Sequence, residues 1–141
     1  MTFSTEPDEQ RAAFIRASLR ESNLQRSPEL RAAKELYGEK EEPLEIYELD
    51  GDTVVGGLVG HTGLGWLHVD LLWVRDQGNG LGRRLIARAE ELARERGCLG
   101  SRLETWSFQA PDFYRGCGYE VAGEVPDYPP GAVDYTFVKR L

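Results

Sequence analysis

The chain has 141 residues, a length that suits one domain, 1–141, able to bury a proper core. Hydrophobic residues make up 40% and charged residues 29%, which excludes a disordered or membrane-embedded chain. The formal net charge of −7 argues against a general nucleic-acid binder, which would present a basic face.

The first residues, Met1 to Asp8, hold no basic segment followed by an apolar run, and no apolar stretch reaches the ~20 residues that span a bilayer. A cytoplasmic protein is expected, with no membrane and no nucleic-acid partner. Cys98, Cys117, His61 and His68 show no metal-ligand spacing, so no metal is expected. The two thiols read as small buried hydrophobes.

In chain order, Phe3–Thr5 suits a short first strand. Thr5 reads as an N-cap, with Pro7 and Asp8 in the first turn of a helix that carries Phe14, Ile15 and Leu19 inward. Ser27-Pro28-Glu29 starts a second helix and Gly38 ends it. An acidic loop, Glu39 to Glu42, leads to strands Leu44–Leu49 and Asp52–Val59, joined by the hairpin signal Asp50-Gly51. His61 to Gly65 reads as a glycine-rich connection into a strand, Trp66–Val74. A long amphipathic helix follows over Leu81–Arg96, with Leu85, Ile86, Ala89, Leu92 and Ala93 on one face and Gly97 as its cap. Ser101–Thr105 is a strand and Ala110–Gly116 a short helix. Tyr119–Val125 and Asp134–Val138 are the last strands, separated by the turn Tyr128-Pro129-Pro130-Gly131.

The richest segment is Gln77-Gly78-Asn79-Gly80-Leu81-Gly82, between the Trp66–Val74 strand and the long helix. Glycines let backbone approach a ligand closely. The first amides of a helix lack internal partners, and its dipole favours negative charge there. The segment therefore predicts a phosphate or pyrophosphate site. A dinucleotide fingerprint fails, because counting from Gly78 puts Arg83 where the third glycine belongs. A P-loop fails as well, because Gly82 is followed by Arg83.

The pattern Arg/Gln-x-x-Gly-x-Gly/Ala does fit, with Gln77, Gly80 and Gly82 in place. It resembles the acetyl-CoA pyrophosphate loop of the GNAT superfamily of N-acetyltransferases. Ala110-Pro111-Asp112-Phe113-Tyr114-Arg115-Gly116-Cys117-Gly118-Tyr119 is similar to the closing motif of the same superfamily. The resemblance covers roughly residues 44–141, by order of elements. It implies an α/β (α+β) fold, with a mixed, mostly antiparallel central sheet flanked by helices. That sheet splays at the fourth and fifth strands, Trp66–Val74 and Ser101–Thr105, and the pantetheine arm of the cofactor lies in the opening. One departure is the link from Val74 to Gln77, here only Arg75 and Asp76, where relatives place about four residues.

The resemblance also distributes roles. Backbone amides of Gln77, Gly78, Asn79, Gly80, Leu81 and Gly82 would clamp the pyrophosphate, with Arg83 and Arg84 beside them. Amides of Leu72, Trp73 and Val74 would pair with the pantetheine arm and supply the oxyanion donor. Ser107 falls where many relatives carry an Asn that contacts the same arm. Tyr114 falls on the general acid. A phenol of pKa about 10 can hand its proton to a thiolate whose conjugate acid lies near 8.5. The base is open between Asp70, His68 and Glu104. Trp66, His68 and Asp70 share a strand face, ahead of any bulge. The acceptor pocket would draw on the first two helices, the hairpin turn and the Tyr128–Gly131 loop, with Trp106, Phe108 and Tyr128 as lining.

The expected function is acetyl transfer from acetyl-CoA to a primary amine of a small molecule or peptide, by direct attack in a ternary complex. No Cys–His pair offers a covalent route. The alternative is a non-catalytic acyl-CoA-binding or regulatory module of the same fold. A homodimer is compatible with either.

Overall fold

A computed structural model describes all residues, 1–141. It contains two compact units, Met1–Leu36 and Tyr37–Leu141. No helix is long and apolar enough to cross a membrane.

The first unit is helical. Helix α1 spans Glu9–Arg26 and α2 spans Pro28–Tyr37. Asp8, not Thr5, is the N-cap of α1: its side chain accepts from the Arg11 amide at 3.0 Å. The expected strand at Phe3–Thr5 does not form. Ser27 serves both helices. Its N–H donates to Asn23 O, closing α1, and its Oγ accepts from Leu30 N at 3.0 Å, opening α2. Phe14, Ile15 and Leu19 are exposed, against the expectation that they point inward. Along the line of Ile15 and Leu19 the next positions are Ser22 and Asn23, so the apolar stripe of α1 is short and none of its residues is buried.

The second unit is built on a six-stranded sheet. Its strands are β1 (Glu42–Asp50), β2 (Thr53–Gly63), β3 (Trp66–Val74), β4 (Gly100–Trp106), β5 (Glu120–Pro126) and β6 (Val133–Arg140), in the order β1-β2-β3-β4-β6-β5. Every pairing is antiparallel except β3–β4. Helix α3 (Leu81–Glu95) lies between β3 and β4 in the chain, and α4 (Pro111–Gly116) between β4 and β5. The α3 residues Leu81, Leu85, Ile86, Ala89 and Ala93 are buried together with Leu58, Leu67, Val69, Leu103 and Phe137 of the sheet.

Two features of β2 and β3 shape the site. First, β2 runs on through His61 to Gly63, where the sequence suggested a loose connection. The turn is only Leu64-Gly65, both at positive φ (51° and 80°), the geometry of a two-residue hairpin with a matching twist. Second, β3 bulges. Gly60 pairs with Val69 but Val59 pairs with Leu71, which leaves Asp70 as the extra residue. Ahead of the bulge the odd residues Leu67 and Val69 are buried. Beyond it Leu72 and Val74 pack partly into the core, while Leu71 and Trp73 are exposed. Gly60 makes the bulge feasible, since a Cβ there would lie 2.2 Å from the His68 carbonyl oxygen.

The parallel pairing of β3 with β4 covers only Trp66–Val69 against Gly100–Leu103. Past the bulge the two strands separate. This is the expected splay, on the third and fourth strands because the first expected strand is absent.

Candidate active site

The splay opens onto a cavity of about 610 Å³. Four pieces of chain line it: Leu72, Trp73 and Val74 at the end of β3, Gln77–Arg83 in the loop and first turn of α3, Phe108–Ala110 in the turn after β4, and Phe113 and Tyr114 of α4. Beyond Val69 the β3 edge that faces β4 has no ladder partner, so alternate amides over Asp70–Val74 point into the opening.

The loop forms by alternating backbone hand. Gly78 and Gly80 sit at φ 86° and 81°, which compresses the chain between Val74 and α3 into the short link the sequence shows. Gly80 is the N-cap of α3 and brings no capping side chain. The Leu81 amide donates to Asn79 Oδ1 at 3.1 Å, and the Arg84 amide to Gly80 O at 3.1 Å. The amides of Gly82 and Arg83 are left as the free donors of the first turn. A Cβ on Gly82 would meet the Phe113 ring at 3.3 Å, so the glycine lets α4 close one wall of the cavity. A bare, amide-lined helix start beside a cavity fits an anionic group such as a pyrophosphate.

The two arginines are partly committed. Arg83 Nη1 donates to Gly116 O at 3.0 Å, tying the start of α3 to the end of α4. Arg84 Nη1 donates to Asn79 O at 3.3 Å.

Tyr114 is buried, and its ring packs edge-on against Phe113 and Tyr119 and beside Phe137. Burial pushes its phenol up to about 12, with the Cys117 thiol adding to the effect. It is therefore a fully protonated group at neutral pH, facing the cavity. A network not read from the sequence holds its helix. Lys139 Nζ on β6 donates to both carboxylate oxygens of buried Glu90 on α3, at 2.7 and 3.1 Å, and to Cys117 O at the end of α4, at 2.8 Å. The Tyr119 hydroxyl completes it through Glu90 Oε2 at 3.2 Å and Ser101 Oγ at 2.8 Å. Burial raises the Tyr119 phenol as well.

Other expected residues lie elsewhere. Ser107 is absent from the cavity lining, and its hydroxyl accepts from Val133 N at 3.0 Å, which occupies it in joining the 106–110 turn to β6. Gln109, which the sequence did not single out, anchors that turn by accepting from Trp106 N at 2.8 Å. Trp106, Phe108 and Tyr128 do assemble: Trp106 stacks on Phe108 at 5.4 Å and approaches Tyr128 at 6.5 Å.

His68 and Asp70 also lie outside the cavity lining, on the opposite sheet face from α3. Asp70 Oδ2 is 2.8 Å from His61 Nδ1, and His61 stacks on His68 with ring centres 4.9 Å apart. Desolvation lowers the His68 pKa, with Arg102 and His61 adding to it, so the imidazole is neutral at neutral pH. His61 was passed over because it reads as loop; the tight Leu64-Gly65 turn sets it directly opposite His68.

A sequence model of the acetyltransferase (GNAT) family matches residues 8–119. This chain belongs to the GNAT acetyltransferase family. The GNAT chain is 52% identical over 126 residues to the blasticidin-S acetyltransferase of Streptomyces morookaense, covering 84% of itself and 93% of that protein. An acetyltransferase structure from Bacillus cereus superposes with a TM-score of 0.87 at 28% identity, over 100% of this chain and 99% of that one. An aminoglycoside 6'-N-acetyltransferase solved with coenzyme A shares the fold, with a TM-score of 0.62 at 19% identity over 70% of this chain and 73% of that one. The protein is an N-acetyltransferase, and as in the rest of the GNAT family its acetyl donor is acetyl-CoA. The amide-lined loop and the cavity fit that donor.

Proposed function

We propose that this GNAT enzyme acetylates the primary amine of a small-molecule antibiotic, by direct attack within a ternary complex. The observation that carries the reading is the cavity itself, which brings the bare start of α3, the open edge of β3 and the protonated Tyr114 to one space. The identity to a blasticidin-S acetyltransferase over most of both chains supports an antibiotic of that kind as acceptor. The family match crosses both structural units, which supports reading residues 1–141 as one acetyltransferase domain.

Acetyl-CoA supplies an acyl group already activated as a thioester. The glycine loop Gln77–Gly80 and the free amides of Gly82 and Arg83 hold its pyrophosphate, and the Arg83 side chain adds charge beside them. An amide of Leu72–Val74 steadies the negative charge that develops on the acyl oxygen. Tyr114 donates its proton to the departing thiolate, and its raised pKa keeps that proton in place until then. The amine gives its proton to water in the opening, since Asp70 and His68, the expected bases, do not line the cavity. The free thiols of Cys98 and Cys117 suit a reducing cytoplasm.

The test is thiol release from acetyl-CoA with blasticidin S as acceptor, varying both substrates. Amine-dependent release with intersecting double-reciprocal lines is expected. Parallel lines would replace direct attack by a covalent intermediate, and no release would remove this acceptor class.

A further inference from the structure

Both histidines of the chain stand opposite each other across the β2–β3 ladder. Asp70 joins them at the bulge, so one nitrogen from each imidazole and one carboxylate oxygen lie within 4.8 Å of one another.

The donor set is that of a borderline divalent ion. Two imidazoles and one carboxylate leave the fourth tetrahedral position open to water or a small donor. His61 Nδ1 and Asp70 Oδ2 are 2.8 Å apart, close to the roughly 3.3 Å between ligand atoms that 2.0–2.1 Å metal bonds impose. The other nitrogen of His61 faces the Glu41 carboxylate, with Nε2 3.6 Å from Oε1. That distance is beyond a hydrogen bond, so Glu41 has to close in by a few tenths of an ångström before it can fix the metal-binding tautomer of His61. His68 has to turn about its broad terminal torsion to close the set. The cluster is reachable: the His61 side chain is 23% exposed and that of Asp70 46%. The charges around it are Asp70 and Glu41 on the negative side and Arg102 beside His68 on the positive side.

We propose that His61, His68 and Asp70 form a divalent transition-metal site, suited to Zn2+, with Glu41 as the outer carboxylate that orients His61. The site is separate from the cavity and stands whether or not the acceptor of the transfer reaction is an antibiotic.

The experiment uses the full chain without a histidine tag, stripped with a chelator. Zn2+ affinity is read by competition with a chromophoric chelator, and Co2+ by its visible d–d absorption. One ion per chain is expected, with a tetrahedral Co2+ spectrum free of thiolate charge transfer. His61→Ala and His68→Ala should each abolish stoichiometric binding, and Asp70→Asn, at an exposed position, should weaken it without loss of fold. Glu41→Gln should weaken binding by ~10-fold. A Cys98→Ser, Cys117→Ser double variant should bind as the parent does. Failure to bind either ion, or binding that survives loss of both histidines, overturns the site.

Discussion

At the scale of single residues, Gly60 and Tyr114 show how local chemistry sets the site. Gly60 sits where a side chain would strike the His68 carbonyl, and the bulge that turns Leu72 and Val74 toward the core depends on it. Gly60→Ala should therefore cost about 2 kcal/mol or more, as forced overpacking against rigid backbone does. Urea unfolding measures this, and an unchanged midpoint would mean that the bulge does not need the glycine. Tyr114 and Tyr119 share a different property. Burial raises both phenols, so the folded state holds their protons more tightly than the unfolded chain does. Their contribution to stability is complete below about pH 10, the value for a free phenol. It is lost as pH rises from there through the folded values. The urea midpoint should fall with rising alkalinity, and Tyr119→Phe should make that fall shallower. A slope unchanged by the substitution would place the alkaline sensitivity elsewhere.

Among the elements, α3 and α4 are joined by a buried charge. Glu90 is 4% exposed and is satisfied by Lys139, which at the same time holds Cys117 O at the end of the Tyr114 helix. Removing one partner of such a pair leaves a buried charge uncompensated. Lys139→Met should thus lower stability by about 3 kcal/mol, with Lys139→Arg milder, both read by chemical denaturation. A Lys139→Met protein as stable as the parent would show that Glu90 finds another partner or a proton. None of this was legible in the sequence, because Glu90 on a helix face and Lys139 on a terminal strand look like ordinary surface charges. The elements themselves were legible where a period or a turn residue announced them. Leu85, Ile86, Ala89 and Ala93 gave the buried stripe of α3, and Asp50-Gly51 gave the first hairpin. His61–Gly65 misled because its glycines read as a loop, whereas Gly60 and Gly63 lie within β2 and only Leu64-Gly65 turn. Asp70 read as sharing a face with His68, as the pleat predicts up to the bulge. The bulge itself is a matter of pairing that one strand's sequence does not reveal. Ser107 was placed by analogy alone, and the Val133 amide is its actual partner.

At the scale of the molecule, function follows from a sheet that fails to close. β3 and β4 run parallel for four residue pairs and then part, and the helix that joins them starts at the mouth of the gap. The six-stranded, mostly antiparallel sheet provides the frame, and the two connections after β3 and β4 line the cavity to which the proposed chemistry is assigned. The net charge of −7 does not oppose an anionic cofactor, because the proposed attraction is local: free amides, a helix start and one arginine. The central claim is that Tyr114 completes this site as the acid for the leaving thiolate. It is tested most directly by comparing the parent with Tyr114→Phe at saturating acetyl-CoA and amine. The account predicts that kcat falls by about 100-fold or more, while the KM for acetyl-CoA stays within about two-fold. An undiminished kcat in the Phe variant would contradict it.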